Sequence, residues 1–190
     1  LLRGWGRSSA TFNESETISK RFNAKISNIS YDAKYIFSEM GYNFLPSEIS
    51  AAFAIEQLKS LKSNIKNRNY NFEYLKKFFS KFSNYFNLPE QNPNVNTAWL
   101  AFPLVIKKNN KFNRRDMQIY FEKNKIQTRT IFTGNILKQP AMKKRFYKKH
   151  KDCSKVADDV MKNGILIGCH QGLTDNDLKY ICNTFKKFIR

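Results

Sequence analysis

Three residues near the start of the chain have side chains that suit a phosphate-bearing ligand. The guanidinium of Arg7 can bind a phosphate through two parallel hydrogen bonds, and the indole of Trp5 can stack on a base or a sugar. Asn43 lies in what we interpret as a turn just before a helix, where its amide and the free N–H groups of the helix end suit an anion. The alternatives are an exposed Arg7, a Trp5 that covers a domain face, and an Asn43 that bonds its own backbone.

Polar candidates in the C-terminal half are Asn135, Gln139 and His170. The two amides could bond sugar hydroxyls, or they could be ordinary polar groups of a loop. His170 could bond a hydroxyl or a pyrophosphate, although a lone histidine more often has a structural role. Cys169 precedes it, but adjacent residues on a strand point to opposite faces, so we reject a Cys–His nucleophile.

The cysteines and the apolar segments exclude several classes of protein. Cys153, Cys169 and Cys182 match neither a zinc pair nor a disulfide framework, which favours reduced thiols in a cytosolic protein. The longest apolar runs are too short to cross a membrane, and nothing resembles a signal peptide. The chain starts at Leu1 with sequence typical of a domain interior, so we expect a fragment of a longer polypeptide.

The strong positive charge allows two interpretations. There are 34 Lys and Arg against 15 Asp and Glu, a net charge of +19. This charge and the 28 aromatic residues could indicate a nucleic-acid-binding module. However, most Phe and Tyr residues recur at the spacing of a helix core, no Gly-rich or RNP-like string is present, and only residues 143–151 form a dense basic cluster. General use of lysine on solvent faces is the simpler explanation, and a basic surface also suits a nucleotide-linked substrate.

The hydrophobic pattern predicts an α+β chain: a loop, long linker helices, and a small sheet with helices on one face. Residues 1–45 form an irregular surface loop, and two helical stretches follow over 46–88 before a linker at 89–94. Strands are predicted at 98–106, 126–132 and 165–168. Helices are predicted from Asn113 to about Asn124, over 139–147, over 154–162 with a left-handed exit at Asn163-Gly164, and after Thr174-Asp175-Asn176-Asp177. Five residues of the last helix are expected to face the core: Leu178, Ile181, Cys182, Phe185 and Ile189.

Short strings in a fixed order carry a resemblance that covers essentially the whole chain. They are Trp5-Gly6-Arg7, Lys20-Arg21-Phe22, Tyr31-Asp32, Lys34-Tyr35, Gly41-Tyr42-Asn43, Ser47-Glu48, Ala51-Ala52, Gln57-Leu58, Ile126-Gln127-Thr128-Arg129, Thr133-Gly134-Asn135, Gln139-Pro140-Ala141, Ile167-Gly168 and Gly172-Leu173-Thr174. In this order and spacing they resemble the C-terminal half of the DegT family of sugar-nucleotide aminotransferases. Within it they are most similar to the branch of CDP-4-keto-6-deoxyglucose 3-dehydrase and GDP-4-keto-6-deoxymannose 3-dehydratase.

The resemblance implies the aspartate-aminotransferase-like α/β fold (PLP fold type I) and a pyridoxal or pyridoxamine 5'-phosphate cofactor. Residues 1–45 would then be the end of the large cofactor domain and a loop that crosses the dimer, 46–88 linker helices, and 89–190 the small domain. Asn43 would reach the cofactor phosphate of the neighbouring subunit. Trp5 and Arg7 would approach the partner's active site, and Arg129 would bind a substrate anion, unless it forms a surface ion pair.

The implied activity is C3 dehydration or transamination of a nucleotide-linked 4-keto-6-deoxy sugar for lipopolysaccharide or other surface glycans, in a cytoplasmic homodimer. The family's catalytic Lys, or the His that replaces it in the 3-dehydrases, would lie upstream of Leu1, so no catalytic residue is assigned here. A Lys there predicts transamination and a His predicts dehydration. The absence of both predicts a non-catalytic dimer scaffold. Residues 8–19, which match the region that binds an iron–sulfur cluster in the CDP-sugar enzyme, contain no cysteine, so we expect no cluster there.

Overall fold

A computed structural model of the chain describes residues 1–11, 18–148 and 154–190. The described chain divides into two compact units, Leu1–Lys59 and Ser60–Arg190. Cys153 and the end of the basic cluster, residues 149–151, lie outside the described residues. Among the described residues, no helix is long and apolar enough to cross a membrane.

The first unit is built from short elements and one longer helix. After a 3-10 helix at Ser8–Thr11, helix α1 spans Ile18–Phe22, and the two-residue strands β1 (Lys25–Ile26) and β2 (Ile29–Ser30) form an antiparallel hairpin. A second 3-10 helix, Ala33–Tyr35, precedes helix α2 at Glu48–Lys59. The irregular loop predicted for residues 1–45 therefore contains short helices and a hairpin that the sequence pattern did not reveal.

Arg21 and Asp32 fix part of this unit by an ion pair. The Nε of Arg21 donates to both carboxylate oxygens of Asp32 at 2.9 Å, and the same carboxylate accepts from the backbone N–H of Lys34 at the start of the second 3-10 helix. The Arg21 hydrogen bond, followed by that of Lys34, lowers the pKa of Asp32. Two of the strings that carried the family resemblance thus meet in a structural contact.

The second unit is a four-stranded antiparallel sheet covered on one face by helices. It contains helix α3 (Leu61–Phe79), strand β3 (Phe86–Asn87), β4 (Ala101–Ile106), helix α4 (Arg114–Lys123), β5 (Thr128–Thr130), helix α5 (Ser154–Asn163), β6 (Gly164–Gly168) and helix α6 (Asp175–Ile189). The strand order is β3-β4-β6-β5 and every pairing is antiparallel. Because side chains alternate along a strand, one face carries Phe102, Leu104, Ile106, Ile165 and Ile167, all buried against helices.

The core of this unit is rich in phenylalanine. Phe79 lies 5.1 Å from Phe185 and 5.7 Å from Phe102 between ring centroids, and Phe72 stacks on Trp99 at 4.4 Å. Aromatic pairs of this kind add to the free energy gained by burying their surface. The aromatic residues of this unit therefore mostly build a core, as their helical spacing indicated.

Several predicted elements are confirmed and others are wrong. The helix starts predicted at Asn113 and Thr174 are confirmed, and each forms a capping box with an Asp three residues later. The helix predicted over 139–147 is wrong: 3-10 turns at Ile136–Lys138 and Pro140–Met142 are followed by irregular chain. The left-handed exit at Gly164 is also wrong, because this residue begins β6. A Cβ there would lie 2.5 Å from the carbonyl oxygen of Val160, so close packing requires the glycine.

Candidate functional site

The N-terminal segment and residues 42–44 run side by side, which brings Trp5 and Asn43 onto neighbouring backbones. Gly4 and Asn43 form an antiparallel bridge, and the N–H of Trp5 donates to the carbonyl of Tyr42 at 2.9 Å. Asn43 was expected in a turn at a helix start. It lies instead in extended chain, five residues before α2 begins at Glu48. Its side chain is exposed and makes no hydrogen bond within the described residues.

Two glycines allow this close pairing. Gly6 has φ +77, and a Cβ there would lie 1.9 Å from the carbonyl oxygen of Glu39. Gly41 faces it, since its Cβ would lie 2.2 Å from the backbone nitrogen of Gly6. Only residues without a side chain permit two backbones to cross at this distance. The glycines of the Trp5-Gly6-Arg7 and Gly41-Tyr42-Asn43 strings therefore shape the segment that holds the candidate residues.

Trp5 and Arg7 form a stacked pair on this segment. Trp5 has φ 59, a left-handed conformation that is strained for a bulky side chain, and the residue is 40% exposed. The guanidinium carbon of Arg7 lies 4.5 Å from the centre of that ring. The Nε of Arg7 is buried and has no hydrogen-bond partner within the described part of the chain. The structure thus brings Trp5, Arg7 and Asn43, which the sequence offered as separate candidates, to one segment.

In the second unit, Arg129 and His170 line one depression of about 370 Å³. Arg129 lies on β5, and its Nη1 donates to the carbonyl of Thr128 at 2.9 Å. His170 follows β6, and its Nδ1 accepts from the N–H of Gly172 at 3.2 Å. Both side chains are exposed. The two residues were predicted as separate substrate contacts, and the fold places them at the same pocket.

Asn135 and Gln139 do not share that pocket. The side chain of Asn135 is only 4% exposed; its Nδ2 donates to Asp158 at 2.7 Å and its oxygen accepts from the N–H of Leu137 at 3.0 Å. Both ends of this amide hold the loop together, so the geometry favours a structural role over the predicted sugar contact. Gln139 is half-buried, donates to the carbonyl of Thr133 at 2.9 Å and lines a smaller depression of about 210 Å³.

The antiparallel pairing of β5 and β6 separates these residues further. Thr130 pairs with Ile165 near the loop that leads to Gln139, whereas Thr128 pairs with Ile167 near the end of β6 that leads to His170. Gln139 and His170 therefore belong to opposite ends of this strand pair. The four small-domain candidates do not converge on one site.

Sequence reasoning missed Gln127 and Lys125, which line the pocket with Arg129 and His170. Lys125 has φ 61, and Glu122 accepts hydrogen bonds from the N–H of Thr128 at 2.6 Å and from its hydroxyl at 2.9 Å. These bonds lower the pKa of Glu122 and fix the turn before β5. Gln127 stands two residues before Arg129, a spacing that places side chains on one face of a strand and could have indicated the pair.

The buried thiols take no part in these sites. Cys169 is fully buried while His170 is exposed, which confirms that the two do not form a nucleophilic pair. Burial raises the pKa of Cys169 to about 12 and that of Cys182 to about 11, so neither is a thiolate at neutral pH.

Comparison with solved structures defines the class of protein. The chain superposes on Escherichia coli GDP-4-keto-6-deoxy-D-mannose-3-dehydratase with bound hydrated PLP, with a TM-score of 0.74 and 28% identity over 96% of this chain and 45% of that one. An aminotransferase from Psychrobacter cryohalolentis gives a TM-score of 0.76 at 13% identity, which shows the fold alone. The predicted aspartate-aminotransferase-like fold (PLP fold type I), represented here by an α+β part, is confirmed.

The chain belongs to the DegT/DnrJ/EryC1/StrS aminotransferase family, whose sequence profile matches residues 10–186. It is 30% identical to the lipopolysaccharide biosynthesis protein RfbH of Salmonella typhimurium over 98% of this chain and 43% of that protein. It is 32% identical to the GDP-4-keto-6-deoxy-D-mannose 3-dehydratase of E. coli O55:H7 over 82% of this chain and 39% of that enzyme. The chain thus spans about two-fifths of the length of these relatives. The resemblance drawn from the short strings is confirmed, and the nucleic-acid alternative gains no support.

Proposed function

We propose that this chain is the C-terminal part of a vitamin-B6-dependent enzyme that modifies a nucleotide-linked 4-keto-6-deoxy sugar, by C3 dehydration or by transamination. The relatives named for lipopolysaccharide biosynthesis and for 3-dehydration of a GDP-sugar support this substrate class. The product would enter lipopolysaccharide or another surface glycan, and the enzyme would work as a cytoplasmic homodimer joined through its large domain. Residues 1–45 would complete that domain and reach across the dimer. Residues 46–88 would form linker helices, and residues 89–190 would form the small domain.

The observation that carries the proposal is the cluster of Trp5, Arg7 and Asn43. It combines a strained aromatic residue, a guanidinium stacked on it, and an amide that is exposed and unbonded within the described residues. Backbone strain in a bulky residue persists only where the surrounding structure enforces it, and such strain is common at ligand sites.

The residues fit the phosphate of pyridoxal or pyridoxamine 5'-phosphate and the phosphates of a nucleotide. The buried Nε of Arg7 lacks an acceptor within the described part of the chain, and a phosphate oxygen would satisfy it. The amide of Asn43 would donate to the cofactor phosphate, while the Trp5 ring would stack on a base or a sugar. When bound, the cofactor supplies a carbonyl or amine group and an electron-accepting ring, which is the chemistry that both reactions require.

The chain's own residues would bind and orient the cofactor and the nucleotide-linked sugar. Arg7 holds a positive charge where the ligand's phosphates arrive, and stacking on Trp5 limits the positions that its guanidinium can adopt. Gln139, at the rim of its depression, could donate to a sugar hydroxyl only by giving up its bond to the carbonyl of Thr133. None of these groups transfers a proton, so we assign no catalytic residue to the chain.

Turnover of keto sugars by the polypeptide that contains this chain tests the proposal. The purified protein would be incubated with pyridoxal phosphate, glutamate, and the GDP-, CDP- or dTDP-linked 4-keto-6-deoxyhexose, and products would be analysed by mass spectrometry. Replacement of the C3 hydroxyl by hydrogen, a net loss of one oxygen atom with the electrons supplied by glutamate, indicates C3 dehydration, and replacement of the keto oxygen by an amine indicates transamination. Absence of both products with all three nucleotides would refute the proposal.

A further inference from the structure

Lysines from two neighbouring helices border a groove on the surface of the second unit. The hydroxyl of Tyr70 donates to Asp175 at the start of α6 at 3.0 Å. Near the other end the rings of Phe78 and Phe185 lie 6.2 Å apart, so α3 and α6 run side by side in the same direction. The groove between them has a volume of about 400 Å³ and lies within residues 60–190. Its lining forms two rows, one on α3 and the turn after it and one on α6: Tyr74, Lys77, Phe78 and Lys81, and Lys179, Cys182, Asn183 and Lys186.

The spacing in both rows brings the four lysines of the lining to the groove. Residues three, four and seven apart lie on one side of a helix, and both rows have this spacing. All four lysines are exposed, and none forms an ion pair within the described residues. Burial raises the pKa of Cys182, and the charges of Lys186 and Lys81 offset part of that rise, so ammonium groups from both rows act on the same floor. Positive charge therefore converges here from two elements.

The carboxylates of α3 and α6 are engaged elsewhere. Glu73, the one acidic residue of α3, lines a different depression. On α6, Asp175 accepts from the hydroxyl of Tyr70, and Asp177 accepts from the N–H of Thr174. The lining of the groove itself has no acidic residue among the described ones. Lysines that share a surface without a carboxylate repel one another, and an anion in the groove would relieve that repulsion.

The floor of the groove adds a hydrogen-bond donor and an aromatic surface. The ammonium nitrogen of Lys186 lies 5.7 Å from the centre of the Phe78 ring, a cation–π contact that limits the positions of the lysine. Tyr74 is half-buried, and its hydroxyl makes no hydrogen bond within the described part of the chain. Burial, followed by Cys182 and Asp175, raises the pKa of Tyr74, so the hydroxyl keeps its proton and can donate. The groove thus offers donors from its rim and from its floor.

We propose that this groove binds a compact polyanion built of two or more linked phosphates. A lysine ammonium binds a phosphate as a compact point charge, and a concave surface lined by one sign of charge focuses its field on a ligand. Lys179 and Lys186 stand about 10 Å apart along α6 at about 1.5 Å per residue, so a chain of phosphates reaches more of the lysines than a single phosphate does. The concave shape favours a small free ligand over the flat surface of a membrane.

The groove is separate from the candidate sites described above. It shares no residue with the cluster of Trp5, Arg7 and Asn43 or with the depression that contains Arg129 and His170. The linked phosphates would therefore occupy a second site, which needs neither the cofactor nor the nucleotide-linked sugar. Binding there is independent of the proposed function.

Titration of the 190-residue chain with phosphates of increasing length tests this site. The chain is suitable because residues 60–190 have a continuous core of their own. Orthophosphate, pyrophosphate and tripolyphosphate would be added at equal ionic strength, and binding would be followed by the backbone ¹H–¹⁵N resonances. We expect saturable binding of tripolyphosphate, binding of orthophosphate that is weaker by about tenfold or more, and shifts concentrated in residues 74–81 and 179–186. Phosphatidylglycerol vesicles and a DNA duplex serve as the alternative ligands.

Paired substitutions decide whether the lysines of the groove hold the phosphates. Lys77→Gln with Lys81→Gln should weaken tripolyphosphate binding by about fivefold or more, while Lys77→Arg with Lys81→Arg keeps the charge and should keep the affinity within about twofold. Lys62→Gln with Lys66→Gln removes an equal charge at equal spacing from exposed positions of α3 and should change the affinity by less than about twofold. Lys66 stands about 16 Å from Lys77 along the helix, beyond the Debye length of about 8 Å.

Three results would overturn the proposal: no saturable binding of tripolyphosphate, shifts confined to other parts of the chain, or equal losses in the two glutamine pairs. Binding of the vesicles or the duplex without binding of tripolyphosphate would overturn it as well, because the ligand would then be an extended surface.

Discussion

Asn135 illustrates how burial decides the role of a single residue. A loop asparagine near a predicted cleft suits a sugar hydroxyl, but this one donates to Asp158 and accepts from the N–H of Leu137. The first cause of the lowered pKa of Asp158 is its hydrogen bond with Lys138, and the bond from Asn135 adds to it. Asn135 thus anchors the loop to α5.

Replacement of Asn135 should therefore reduce stability. Asn135→Ala leaves the partly buried N–H of Leu137 without its acceptor and Asp158 without a donor, and we expect a loss of about 1–3 kcal/mol in the free energy of unfolding. Urea unfolding of the 190-residue chain measures it, with Asn110→Ala at an exposed position as the control. If both variants unfold like the wild type, Asn135 does not anchor the loop.

Cys169 makes stability depend on alkaline pH. Burial raises its pKa from 9.0 to about 12, so the folded state retains the thiol proton while the unfolded state loses it. The stability that the protonated thiol contributes is fully present below pH 9 and is lost as the pH rises toward 12. Over this range the free energy of unfolding falls by up to about 1.4 kcal/mol per pH unit. Urea unfolding at several pH values should give a steeper decline for the wild type than for Cys169→Ala. Equal slopes would contradict this.

At the scale of elements, a capping box stabilises the N-terminus of α6. The Thr174 hydroxyl accepts from the N–H of Asp177, whose carboxylate accepts from the N–H of Thr174. Hydrogen bonding with Thr174 lowers the pKa of Asp177 and keeps the carboxylate ionised near the positive end of the helix dipole. Because α6 supplies core residues such as Leu178 and Phe185, this cap supports the whole sheet unit.

Loss of the cap should be measurable. Thr174→Ala is expected to lower the free energy of unfolding by about 1 kcal/mol, while Thr174→Ser keeps a hydroxyl and should retain most of the stability. Thermal unfolding of the three proteins provides the comparison. A Ser variant as unstable as the Ala variant would show that the hydroxyl is not the stabilising group.

Local signals explain which elements could be predicted from the sequence. Asn113 and Thr174 each stand three residues before an Asp, and this spacing marks a helix start without tertiary information. Over residues 139–147, Pro140 is typical of a helix start and the basic residues are typical of an exposed helix face, which is why a helix was predicted. The segment has few apolar residues to bury against the core, so it forms 3-10 turns instead. The pairing of Gly4 with Asn43, and the shared pocket of Arg129 and His170, join residues about 40 apart in sequence, which no local pattern encodes.

At the scale of the whole molecule, the two units differ in how they bury apolar surface. The unit of residues 60–190 has a continuous core, whereas every residue of α2 is exposed, including Ile49 at 83% and Phe53 at 68%. Exposed apolar surface of this extent marks an interface. The family relation suggests that the rest of the polypeptide, or a second subunit, covers it.

Hydrogen exchange should register this difference. In the isolated 190-residue chain, amides of α2 should exchange much faster than those of β4, β6 and α6, because few buried contacts oppose local opening. In the longer polypeptide that contains the chain, α2 should become protected. Equal exchange of α2 in both proteins would show that nothing in the longer protein covers it.

Cofactor retention tests the central claim most directly. The polypeptide that contains this chain would be saturated with pyridoxal phosphate and desalted, and its vitamin B6 content would be measured after acid release. We predict stoichiometric retention by the wild type, reduced retention by Asn43→Ala, and wild-type retention by the matched variant Asn110→Ala. A wild-type protein that retains no vitamin B6 would contradict the assignment of this chain to a cofactor-holding enzyme.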